Sequence, residues 1–222
     1  MSDNLGRRSP STLPRYTPEV VFHANRKESD NGDRCQCFAG TGCKYYVLLC
    51  DGMGTGLGAV QEGKAALQLL KKLLLAGFPA EYALRSLNSL CALRGIAGAA
   101  TVDMAELQLD TGKVMLSKWG AAPSYLLHGG SIEKIGTAGP PPGLSVTDGR
   151  EKVERLSLRR GEVLVLLSDG VGGEDALQCR FSDGALSLKE IAVKILDSAD
   201  TEAGDDATVA VIRLSPESTK AS

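Results

Sequence analysis

Aspartates recur beside glycines and at the ends of apolar runs in this chain. Asp33 follows Gly32, Asp51 opens the run Asp51-Gly52-Met53-Gly54, Asp169 precedes Gly170, and Asp205 with Asp206 leads into the apolar stretch Thr208–Ile212. A carboxylate at a strand end is a hard oxygen ligand, and a neighbouring glycine lets the backbone approach closely, a combination suited to Mg²⁺ or Mn²⁺. Carboxylates this far apart in sequence can meet only at one pole of a shared sheet. Gathered there, they suit metal-assisted hydrolysis of a phosphate ester.

The elements that must position them are legible around them. Tyr45–Cys50 and Val163–Leu167 are short, continuous apolar runs, the pattern of strands buried on both faces. Thr208–Leu214 is β-branched and apolar, with the acidic pair before it. Antiparallel pairing brings the end of one strand and the start of another to the same edge. Between them, Val60, Leu67, Leu70 and Leu74 recur at helical spacing, with lysines and glutamines opposite, which predicts an amphipathic helix over Leu57–Leu75 that stops at Gly77. Pro79 opens a second helix to about Leu93. From Ala99 the period changes: Thr101–Leu109, Lys113–Trp119 and Ser124–His128 are short β-like runs separated by turn residues, the spacing of an antiparallel meander. Strands at Val153–Leu158 and Val163–Leu167 and a helix at Leu188–Ala199 follow. Paired helices, many antiparallel strands and a further helix give an α+β fold of two packed sheets with helices outside.

Length and charge narrow the function classes. At 222 residues and 23.3 kDa the chain buries one sizeable core. Its net charge of −2 offers no global basic field for nucleic acid or anionic membrane. No apolar stretch approaches the roughly 20 residues that span a bilayer, and the polar start lacks a signal peptide's apolar segment, so the expected location is cytoplasmic. Residues 1–18 read as a loose or edge segment, 19–216 as the folded domain and 217–222 as a tail. Of the six cysteines, Cys35, Cys37 and Cys43 lack the paired spacing of zinc modules, and His23 and His128 have no partner at ligand spacing. Cys50 and Cys91 sit in apolar runs and read as reduced core residues.

The segments DGMGTG, LLSDGV and GDDATVAV, in that order and at these separations, resemble the metal-dependent protein serine/threonine phosphatases of the PP2C superfamily. GFPAEYALRSLNSL and KWGAAPSYLL between them are similar to the phosphatase domain of the SpoIIE type. The resemblance runs from about Ser29 to Leu214. It implies a four-layer α/β/β/α sandwich of two mainly antiparallel sheets flanked by helices, with two Mn²⁺ or Mg²⁺ ions at one edge. It further implies that Asp51 bridges the ions, that the Gly52 carbonyl completes a coordination sphere, that Asp169 and Asp205 hold the other flank, and that Asp33 acts more weakly through water or on an extra ion. Asp206 stands where many relatives carry asparagine.

The implied substrate is a phosphorylated protein, an anti-sigma factor antagonist in sporulation or stress signalling, with a regulatory domain or a second copy as a further partner. Two departures from the family pattern bear on mechanism. Met53 replaces a histidine that many relatives are thought to use as a proton donor, so protonation of the leaving oxygen falls to water. No arginine clearly matches the phosphate-holding arginine of some relatives, and Arg34 is the nearest in sequence. Two other classes share these residues. Gly54, Gly56 and Ala59 meet a permissive dinucleotide-turn pattern, but a helix rather than a parallel strand follows. A non-catalytic module of the same fold that binds a phosphoprotein would keep the fold without chemistry, but clustered carboxylates without a cation repel one another.

Overall fold

A computed structural model describes residues 13–25, 33–53, 57–96, 99–136, 139–144, 153–171, 186–198 and 206–217. In chain order the strands are β1 (Tyr16–Asn25), β2 (Arg34–Ala39), β3 (Lys44–Cys50), β4 (Val102–Gln108), β5 (Lys113–Trp119), β6 (Ser124–His128), β7 (Ser131–Ile135), β8 (Val153–Ser157), β9 (Val163–Leu167) and β10 (Ala207–Pro216). The helices are α1 (Leu57–Leu75) and α2 (Ala80–Arg94), both between β3 and β4, and α3 (Leu188–Ser198) before β10. One sheet runs β1-β10-β9-β6-β7 and the other β2-β3-β4-β5-β8, with every neighbouring pair antiparallel.

Strand alternation sorts the side chains into layers. Val47 and Leu49 of β3, Ala105 and Leu107 of β4, Leu164 and Leu166 of β9, and Ala210 and Ile212 of β10 fill the space between the two sheets. The alternate residues of β3 and β4, Leu48, Cys50, Val102 and Met104, face outward against Leu67, Leu70 and Leu74 of α1 and Leu84, Leu87 and Cys91 of α2. Val163, Val165, Val209 and Val211 face Ile191 and Ile195 of α3. The result is the α/β/β/α sandwich expected from the sequence. Each fully buried Leu, Ile or Val contributes on the order of 1.5–3 kcal/mol, so the three apolar layers dominate the stability.

The helix ends follow local chemistry. After α1 the chain turns at Gly77, whose φ of 86° is left-handed, and the N–H groups of Gly77 and Phe78 donate to the carbonyls of Leu74 and Leu73. At the start of α3, Ser187 and Glu190 form a reciprocal cap, the Ser187 N–H donating to Glu190 Oε2 at 2.8 Å and the Glu190 N–H to Ser187 Oγ at 3.3 Å. Three strands appear beyond the predicted ones. β1 begins at Tyr16, within the segment read as loose or edge, and lies at a sheet edge; β2 and β7 are the others.

One polar cluster crosses the apolar layer between the sheets. Lys118 on β5, Asp103 on β4 and Ser124 on β6 are all buried. The Lys118 ammonium donates to Asp103 Oδ2 and, at 2.7 Å, to Ser124 Oγ, which in turn donates to Asp103 Oδ2 at 3.2 Å. β4 and β5 belong to one sheet and β6 to the other, so the cluster pins their relative position. Burial pushes the Asp103 carboxyl up, and the Lys118 charge and the hydrogen bonds oppose that rise. Breaking a buried pair by removing one partner costs about 3–5 kcal/mol. Urea unfolding of Lys118→Met at neutral pH is therefore expected to show a loss of that order, with Lys118→Met combined with Asp103→Leu recovering most of it. The single variant's deficit shrinks in acid: without the cation the folded pKa of Asp103 rises further, and a raised folded pKa favours the folded state when the group is protonated.

Candidate active site

Strand pairing brings Asp33, Asp51 and Asp206 to one edge of the sandwich. In the antiparallel β2–β3 pair Arg34 lies opposite Cys50, so the next step outward sets Asp33 against Asp51. In the other sheet Leu167 lies opposite Val209, and the ladder continues through Ser168 and Thr208. The Ser168 N–H donates to the Thr208 carbonyl at 3.0 Å, and the Thr208 N–H donates to Ser168 Oγ at 2.8 Å. Asp169 follows Ser168 in an exposed turn, and Asp206 immediately precedes β10 with the Ser168 hydroxyl 3.4 Å from its carbonyl oxygen.

Asp33 joins the two sheets. Its side chain is 7% exposed, and burial holds its carboxyl above the usual carboxylate range. The nearby polar side chains of Thr208, Ser168 and Asp51 oppose that rise, and the charge of Asp206 adds to it. Asp33, Asp51 and Asp206 therefore share one electrostatic neighbourhood, with β2 and β3 supplying two of them and β10 the third. Thr208 and Ser168 were not singled out from the sequence. Both are polar residues at the buried end of an apolar run, a signal present in LLSDGV and GDDATVAV.

Asp51 is placed by its backbone. Its carbonyl accepts from the Thr101 N–H at 2.7 Å, Gly52 forms a bridge with Ala100, and the Met53 N–H donates to the Ala99 carbonyl at 2.9 Å. The chain beyond β3 thus stays paired beside the entry to β4. A Cβ on Gly52 would lie 1.8 Å from the Ala59 carbonyl oxygen of α1, an impossible contact, so the approach of α1 to the acidic edge requires glycine. The Arg34 guanidinium donates to the Asp33 carbonyl at 2.8 Å and so braces the backbone of that residue. Met53 is 48% exposed beside Asp51 and Gly52. Asp205 lies outside the described residues, as do Gly54 and Gly56.

Two carboxyl groups set side by side at a buried sheet edge disfavour ionising together, and a cation between them relieves that repulsion. The donors at this edge are all hard oxygens, the set that takes Mg²⁺ or Mn²⁺ rather than a thiophilic metal. Among the described residues no three His, Cys, Asp or Glu side chains form a ready-made cage. The fit to a divalent cation therefore rests on the register that sets Asp33 opposite Asp51, on the burial of Asp33 and on the nearby charge of Asp206. The antiparallel order also removes the dinucleotide reading, since α1 leads into α2 and not into a parallel strand.

Comparison with known proteins agrees with this geometry. Residues 41–215 match the family described as Stage II sporulation protein E (SpoIIE). The chain is 28% identical over 185 residues to the stage II sporulation protein E of Bacillus subtilis (strain 168), covering 77% of this chain and 22% of that protein. It is 33% identical over 129 residues to the protein of the same name from Priestia megaterium, covering 58% of this chain and 22% of that one. The chain therefore matches 22% of the length of these curated relatives. Among solved structures it is similar to the PP2C phosphatase domain of Bacillus subtilis SpoIIE with a fragment of its regulatory domain, with TM-score 0.80, 24% identity and coverage of 93% of this chain and 64% of that one. It is also similar to RsbX in complex with magnesium, with TM-score 0.71, 17% identity and coverage of 90% and 96%. The sandwich with acidic strand ends at one edge is thus a PP2C-type phosphatase fold, and the chain belongs to the SpoIIE family.

Proposed function

We propose that the chain is a divalent-metal-dependent protein serine/threonine phosphatase. The observation that carries this reading is the strand register that sets the buried Asp33 opposite Asp51 at the shared edge of the two sheets, near the Asp206 charge, in a chain of the SpoIIE family. Asp33, Asp51, Asp206 and the Gly52 carbonyl are the proposed metal donors, with Asp169 and Asp205 on the opposite flank, and two Mn²⁺ or Mg²⁺ ions complete the site. The chemistry that such a pair supplies when bound is Lewis-acid stabilisation of the phosphoryl oxygens and acidification of water.

The chain's own residues supply position. Ser168 and Thr208 stand beside the Asp33 carboxyl, and the Thr101 N–H and the close approach of α1 at Gly52 hold the backbone that carries Asp51. A preorganised anionic edge avoids reorganisation during the reaction, which is where electrostatic catalysis gains most. Met53 has no proton to give, so the leaving oxygen takes its proton from water. The substrate follows from the family: a phosphoserine or phosphothreonine on a small regulatory protein, an anti-sigma factor antagonist in a bacterial sporulation or stress circuit. The proposed setting is cytoplasmic; among the described residues no helix is long and apolar enough to cross a membrane. A regulatory domain or a second copy is the proposed partner outside this domain, which we place at residues 16–216 because β1 pairs with β10 from Tyr16 onward.

Phosphate release from a phosphothreonine peptide is expected with Mn²⁺ or Mg²⁺ and not with chelator. Asp51→Asn and Asp33→Asn, folded by circular dichroism, are expected to lose at least about 100-fold, more than the 10–100-fold typical of outer-shell changes. Absence of turnover from the folded parent with either metal would contradict the reading.

Gly52→Ala tests the close approach of α1. Displacing the edge by the contact that a Cβ would create is expected to cost about 100-fold in turnover while the far-ultraviolet spectrum is kept. Met53→His is expected to retain activity, and a total loss in a folded variant would show that Met53 has a role beyond the absence of a proton.

A further inference from the structure

Away from the acidic edge, a cleft of about 200 Å³ lies between the N-terminus of α2 and the outer face of the second sheet. Its floor is built by strand register. Glu106 on β4 lies opposite Met115 on β5, which lies opposite Arg155 on β8, and one step along, Met104 lies opposite Ser117. Glu106 is 1% exposed, an unusual place for a carboxylate at the centre of a sheet face. Its Oε1 takes the Lys44 ammonium at 2.8 Å and the Gln108 side-chain amide at 3.4 Å. Its Oε2 is buried with no hydrogen-bond partner. Burial, the Glu106 charge and the nearness of the Glu106 carboxylate raise the pKa of Tyr46, its neighbour on β3.

An unsatisfied buried acceptor costs about 1–3 kcal/mol, and what would relieve it is a donor, preferably a charged one. The rest of the lining suits the body behind such a donor. Leu84, Met104 and Trp119 are apolar and buried, and an aromatic face attracts a nearby cation. The other charged groups of the lining are Glu81, Arg155 and Lys44, the last already paired with Glu106. Met115, half-buried and directly across from Glu106, adds an unbranched, adaptable side chain to the lining. At the rim, Pro79 caps α2 without a side-chain hydrogen bond, and Arg155 is exposed, so a carboxylate on the same ligand would find donors. At about 30 Å³ per water the cleft holds the volume of about seven waters, too small for a nucleotide.

We propose that this cleft binds a small organic cation, a primary ammonium on a short apolar body, the shared chemistry of apolar free amino acids and their decarboxylated amines. The ammonium meets Glu106 Oε2 and the body packs on Met104, Met115, Leu84 and Trp119. This site stands apart from the acidic edge, and its occupancy needs no turnover to be measured.

Calorimetric titration of the full chain with L-leucine, L-methionine, 3-methylbutylamine and 4-methylpentanoate tests it. The ammonium compounds are expected to bind and the carboxylate alone is not; tighter binding of the amino acids than of the amine assigns the α2 end and Arg155 to the carboxylate, and equal binding assigns recognition to the ammonium alone. Glu106→Gln is expected to weaken binding by about tenfold or more, the loss expected for a charged hydrogen bond. Ser117→Leu, which fills the cleft while leaving Glu106 and Lys44 in place, is expected to weaken it as well, and covers the case in which Glu106→Gln fails to fold. No heat from any ammonium compound at millimolar concentration, binding of 4-methylpentanoate as tight as that of the amine, or binding unchanged in the folded variants would overturn the proposal.

Discussion

Carboxyl groups do not pack against one another unless the backbone leaves them no alternative. Here the β2–β3 ladder fixes Asp33 opposite Asp51, and the second sheet delivers Asp206, Ser168 and Thr208 to the same edge. The consequence is visible in Asp33, whose carboxyl is held above its ordinary range first by burial and then by the charge beside it. The rest of the architecture maintains that arrangement. The inter-sheet core sets the spacing of the two sheets, the buried Lys118–Asp103–Ser124 cluster holds β4 and β5 against β6, and α1 closes over Gly52, where no side chain fits.

Much of this was legible in the residues. The apolar runs of β3 and β9, the amphipathic period of α1 and the turn glycines of the meander each report a local preference that the fold does not contradict. β2 and β7 were harder to read. Arg34–Ala39 interleaves two cysteines with polar residues, and Ser131–Ile135 is a largely exposed edge strand with two charges; neither has the buried run that marks a core strand. β1 carries Pro18 and Glu19 and lies at a sheet edge, where a strand tolerates both.

The site was partly legible for a related reason. An aspartate next to glycine at a strand end is visible in sequence, but the partner that orients it comes from another strand. Thr208 and Ser168 reach Asp33 only through the packing of one sheet on the other, and no spacing rule predicts that. Asp103, Lys118 and Ser124 form a buried ionic cluster from three strands and look like ordinary surface polarity when read one by one. Glu106 is the same lesson on the other face of β4: alternation puts it in the layer with Val102 and Met104, yet its burial depends on α2 and its partner Lys44.

The central claim is that the acidic edge is a divalent-cation site whose geometry is set by two sheets. Electron paramagnetic resonance of Mn²⁺ titrated into the parent and into Asp51→Asn tests it directly, because free Mn²⁺ is counted without reference to turnover. The account predicts two ions bound per parent chain, with binding lost or strongly weakened in the folded variant. Free Mn²⁺ throughout the parent titration, or the same binding in both proteins, would contradict it.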